Sequence, residues 1–62
     1  MDKETLEHVR DLVAGARKQA AELESSHASD TEQAFFKGMC FAYDQAYNGL
    51  SRMIYALEKE AE

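Results

Sequence analysis

The sequence has no proline, one cysteine, few basic residues and no long apolar run. Without proline no position is forced out of a helix, because every residue keeps its amide donor and a free φ. The lone thiol, Cys40, excludes an intramolecular disulfide and suits a reducing compartment. Seven Lys and Arg stand against twelve Asp and Glu, a net charge of −5. That balance argues against a nucleic-acid binder, which needs clustered basic side chains to displace counterions from phosphates. No apolar stretch approaches the ~18 residues of a membrane span. The opening Met1-Asp2-Lys3-Glu4 lacks a signal-peptide pattern. The chain is therefore expected to be soluble and cytoplasmic, with neither nucleic acid nor membrane as partner.

What is present reads as helix. Leu6, Val9, Val13, Ala16, Ala20 and Leu23 recur at alternating spacings of three and four, the seam of a helix that packs on other helices. Leu12 widens this stripe, while Glu4, Glu7, Asp11, Lys18 and Glu22 form a solvated opposite face. Asp2 suits the N-cap, and the early acidic residues suit the positive end of the helix dipole. Gly15 projects toward the polar side and has no evident role. Ser25-Ser26-His27-Ala28-Ser29 then interrupts the pattern with cap and turn formers. Ser29 followed by Glu32 has capping-box spacing, with Asp30 as a competing cap. These signals predict one domain spanning residues 1–62: a helix over about 3–25, a turn over about 26–29 and a helix over about 30–60. At 1.5 Å per residue the second helix measures about 45 Å. It outlasts the first, so its C-terminal turns are expected to overhang or to pair with another subunit.

The second helix carries more apolar surface than the first can cover. Phe36, Met39, Tyr43, Ala46, Leu50, Met53, Ile54 and Leu57 form a broad zone, with Cys40 and Tyr47 at its edge. Beside it Gly38, Ala42, Gly49 and Ala56 form a small-residue zone that allows close backbone approach. A chain shorter than ~70–80 residues rarely stabilises itself with a single core. The fold class expected is thus an all-α antiparallel helical hairpin that assembles into a dimeric four-helix bundle or a higher oligomer. Phe36, Met39, Tyr43, Tyr47, Leu50, Met53, Ile54 and Leu57 are the expected oligomer-interface residues.

A third zone of the same helix combines charge with aromatic rings. Lys37, Phe41, Asn48, Arg52, Tyr55 and Lys59 share the side that should face water, with Asp44 and Gln45 among them. Such a stripe can stack planar groups and pair with anions or carboxylates. Lys37, Phe41, Asn48, Arg52 and Tyr55 are therefore the candidate partner-binding residues. Catalytic and metal-binding signals are poor. His8 and His27 lack ligands at recognisable spacing, and no Gly-rich phosphate loop or nucleophile elbow is visible. The expectation is a protein that is not an enzyme and needs no cofactor.

The run Phe36-Lys37-Gly38 through Ala42-Tyr43, Ala46-Tyr47 and Leu50 resembles the second helix of short helical-hairpin proteins encoded by phages and mobile elements. That resemblance implies a small accessory protein that acts by binding, for example by blocking or sequestering a host defence component. Two functions fit the residues. One is an oligomeric protein-interaction module, an inhibitor or adaptor that occupies another protein. The other is a small-ligand sequestering protein, whose subunits gather Lys37, Arg52 and the aromatics around an anionic or nucleotide ligand.

Overall fold

In a computed structural model, described over residues 2–26 and 29–61, the protein is an antiparallel hairpin of two helices. Helix α1 runs Lys3–Glu24 and helix α2 runs Asp30–Ala61. The predicted turn residues His27 and Ala28 lie outside the described residues.

Both helices begin on the caps that the sequence specifies. Asp2 is extended, and its Oδ1 accepts the Thr5 amide at 2.8 Å. This satisfies one of the amides that have no carbonyl partner in a first turn. At α2 the Ser29 Oγ accepts the Glu32 amide, and Glu32 Oε1 accepts the Ser29 amide, each at 3.3 Å. The reciprocal pair is a capping box. Helix α1 stops at two serines: Ser25 Oγ donates to the Glu22 carbonyl at 3.1 Å and Ser26 Oγ to the Leu23 carbonyl at 2.7 Å. Those bonds occupy carbonyls that would otherwise be left open in the last turn.

Two cross-helix ion pairs record the register. Lys3 Nζ lies 3.2 Å from Glu58 and Arg17 Nε lies 3.1 Å from Asp44, the same number of residues apart on each helix. That register sets Leu6 level with Ile54 and Ala20 level with Cys40, and among the described residues these four are the buried hydrophobic ones. Their sizes grade along the molecule, with the small pair near the turn and the large pair at the open end. Because Lys3 is level with Glu58, the C-terminal turns of α2 lie close to the start of α1. The expected overhang falls instead at the other end, where the first turns of α2 project past Glu24. The long dimension, 49 Å, accordingly matches α2 alone.

Burial corrects the expected seam in particular places. Val9, Val13 and Ala16 are half-buried beside Leu6 and Ala20, as their spacing requires. Leu23 faces outward, 47% exposed, and Leu12, three turns earlier on the same side of α1, is 60% exposed. On α2, Phe36, Met39, Tyr43, Leu50 and Leu57 are half-buried around Cys40 and Ile54, whereas Met53 and Ala46 are exposed. The cause is rotational. Cys40 and Ile54, not Met53, sit at the centre of the face turned to α1, so the apolar zone is split between a covered and an open half. Among the described residues no helix is long and apolar enough to cross a membrane.

Candidate functional site

The charged and aromatic stripe of α2 emerges on an exposed flank, turned about 100° around the helix from the buried Cys40 and Ile54, since Phe41 and Tyr55 directly follow them. Phe41 is 67% and Tyr55 61% exposed, far above what a packed aromatic would show. Lys37, Asn48 and Arg52 are exposed beside them. The five candidate partner-binding residues therefore share one side of a continuous helix, which sets their spacing without any loop. Lys59 lies over the Tyr55 ring at 5.7 Å from the centroid, a cation–π contact that orients the ring at the C-terminal end of the stripe.

The cations of this protein divide into committed and uncommitted sets. Lys3 and Arg17 are tied across the hairpin to Glu58 and Asp44. The hydrogen bond to Glu58, aided by its charge, raises the Lys3 pKa, and the bond to Asp44 does the same for Arg17. Arg10 is half-buried with its guanidinium 5.9 Å above the Tyr47 ring. Its Nε is buried without a hydrogen-bond partner, and the Asp11 carboxylate is 3.9 Å away. Among the described residues, by contrast, Lys37 and Arg52 enter no ion pair or hydrogen bond. Both remain free to meet an external carboxylate or anion.

By sequence Asp44 falls on the stripe and Tyr47 at the edge of the broad apolar zone. The structure draws both toward α1, through Arg17 and Arg10. The available signal was the position of Arg10 and Arg17, one heptad apart and flanking the apolar seam, where long basic side chains reach across to a partner helix. Of the expected oligomer-interface residues, Ile54 is buried and Phe36, Met39, Tyr43, Leu50 and Leu57 are half-buried in the hairpin, while Tyr47 and Met53 remain exposed.

Two concavities flank the seam, both shallow and open. One is lined by Glu24, Asp30, Gln33, Ala34 and Lys37, the other by Ala14, Arg17, Asp44 and Tyr47. An anion in the first would meet two carboxylates beside its one lysine, and in the second would compete with Asp44 for Arg17. Cys40 is buried, with Sγ 3.9 Å from Glu24 Oε2, and packs as a small hydrophobe. Among the described residues no group of His, Cys, Asp and Glu is arranged to hold a metal ion. No family model matches the chain, and comparison with curated proteins and with solved structures also gives no match.

Proposed function

We propose that this chain is a homo-oligomeric protein-interaction module whose α2 outer flank binds another protein, as an inhibitor or adaptor of the phage type would. The observation that carries this reading is the coincidence of uncommitted charge and exposed rings: Lys37 and Arg52 stand unpaired beside Phe41 and Tyr55. Aromatic and arginine side chains supply most interface hot spots, since they combine large buried area with directional polar contacts. The flank is a convex helix surface, which fits a groove or a flat face on a protein better than it encloses a small molecule. The two concavities, lined by carboxylates or by an already paired arginine, give an anionic ligand less to bind.

The test is capture of a partner from the organism that encodes the chain, followed by titration of the purified pair. Phe41→Ala and Arg52→Glu should each weaken binding by about 2 kcal/mol or more, while Lys18→Glu on α1 leaves it intact. Added salt should weaken the parent complex more than the Arg52→Glu complex, because exposed charges are screened. Binding that survives both α2 substitutions would overturn the proposal.

A further inference from the structure

Beside the seam that α1 and α2 bury between them, each helix carries a second one that the hairpin leaves open. On α1 the four-and-three spacing runs Thr5, Val9, Leu12, Ala16, Gln19 and Leu23. On α2 it runs Phe35, Met39, Ala42, Ala46, Gly49 and Met53, continuing to Ala56. No charged residue interrupts either run. Phe35 is 65% and Met53 56% exposed, alongside Leu12 and Leu23, while Val9 and Met39, which border the buried seam, are half-buried.

Both runs lie on the same side of the hairpin. The helices are right-handed and antiparallel, so turning from the buried seam against the chain sense on each arrives at one common face. Turning the other way arrives at the opposite face, which holds Arg17–Asp44, Lys3–Glu58 and Arg10 over Tyr47. One side of the molecule is thus laced by charge, and the other is apolar and unlaced.

We infer that the uncharged face is the docking surface for a second copy of this chain, related by a two-fold axis perpendicular to the helices. This rests on the homo-oligomeric reading above and specifies its geometry. Helix α2 lies antiparallel on the α2 of the other copy, and α1 on its α1. Centred near Ala46, this pairing sets Phe35 against Ala56 of the partner subunit and Ala42 against Gly49 of the partner subunit, with Met53 seated between Gly38 of the partner subunit and Met39 of the partner subunit. A Cβ placed at Gly38 or Gly49 would find nothing within 4 Å in the single hairpin, so both positions are open to receive a neighbour. On α1 the same operation sets Leu12 against Ala16 of the partner subunit and Leu23 against Thr5 of the partner subunit.

Three further features select this arrangement. The register recorded by Arg17 and Asp44 places the midpoints of the two seams within about half a helical turn of each other, so a single axis serves both. Phe35 projects past the end of α1, and only a second α2 is long enough to cover it. A standard interface buries about 800 Å² per partner, near one-sixth of the 4810 Å² surface of this chain. A face 49 Å long and 14 Å wide between Cα extremes supplies that area once side chains are added.

Sedimentation and crosslinking test the inference together. At micromolar concentration the parent should sediment at twice the 7.0 kDa chain mass. Leu12→Glu with Met53→Glu should raise the dimer dissociation constant at least 100-fold, and Phe41→Glu should leave it within a factor of three. Because the double variant can lose its fold with its dimer, a second measurement reads the axis directly. Oxidation of Ala46→Cys in a Cys40→Ala background should give a disulfide-linked dimer, whereas Ala34→Cys should not. An intact dimer that fails to link through position 46 overturns the inference. So does a dimer that resists charges at 12 and 53 but falls apart with Phe41→Glu, an outcome that leaves the homo-oligomeric reading standing. A folded 7.0 kDa monomer overturns both.

Discussion

Asp2 shows how a single residue links local structure to solution behaviour. Hydrogen bonding from Thr5, its side chain first and then its amide, lowers the Asp2 pKa below the ordinary 3.8. A depressed folded-state pKa adds stability that is present above 3.8 and is lost as pH falls through the folded value. Thermal melts should therefore show the parent losing stability below pH 4 more steeply than Asp2→Asn, which keeps a capping acceptor without the titration. Lys3 works in the opposite sense. Its pKa is raised by Glu58, so its contribution is complete below 10.5 and is lost as pH rises through the folded value. Lys3→Met should flatten the alkaline limb of the same profile. Glycine gives a second test at this scale. A Cβ at Gly15 meets nothing within 4 Å, so Gly15→Ala should gain roughly 1 kcal/mol from helix propensity alone in a urea melt. Gly49→Ala has the same open surroundings within one chain. If it instead lowers the melting temperature at dimer-forming concentration, a second backbone approaches there.

At the scale of the element, α2 carries two apolar stripes and one charged and aromatic stripe, set side by side around its circumference. Adjacent residues separate them. Ile54 is 4% exposed against α1, while Met53 is open. Ile54→Ala should cost about 2–5 kcal/mol of unfolding free energy, because it removes buried methyl groups and leaves a cavity. Met53→Ala should preserve the helical circular dichroism signal of the hairpin and show its loss in association, read by sedimentation. Equal effects of the two substitutions would mean that α2 is rotated from the orientation described. The helix ends are specified independently of this rotation, since both caps and the two serine stops are made by residues within a turn of the boundary.

For the whole molecule the controlling quantity is the size of the core. Leu6, Ala20, Cys40 and Ile54 are buried, and among the described residues no side chain is less than 2% exposed. Two of these four are small, so one hairpin removes little apolar area from water compared with the conformational entropy of ordering two long helices. The proposed association would couple stability to concentration, so the melting temperature should rise with protein concentration in a dilution series of thermal melts. The exposed ion pairs across the hairpin contribute mainly to register and are weakened by added salt. Sodium chloride should therefore alter the melting temperature little, and sulfate, which strengthens apolar burial, should raise it.

The sequence by itself determined the two helices and their ends, because each rests on interactions within a few residues. The short segment between them made an antiparallel hairpin the expectation. The three-and-four spacing of Leu6 to Ala20, the Asp2 cap and the Ser29–Glu32 box are local and survive any choice of neighbour. The exposure of Phe41 and Tyr55 was also legible, since Lys37, Asn48, Arg52 and Lys59 surround them and keep that side in water. Tertiary structure decided which half of a wide apolar surface is covered. Cys40 with Ile54 and Phe35 with Met53 are similarly hydrophobic, so hydropathy cannot rank one stripe above the other. Cross-helix contacts could. Arg17 with Asp44, Lys3 with Glu58 and Arg10 with Tyr47 accompany one rotation of α2 against α1, and that rotation left Leu12, Leu23, Phe35 and Met53 on the open face.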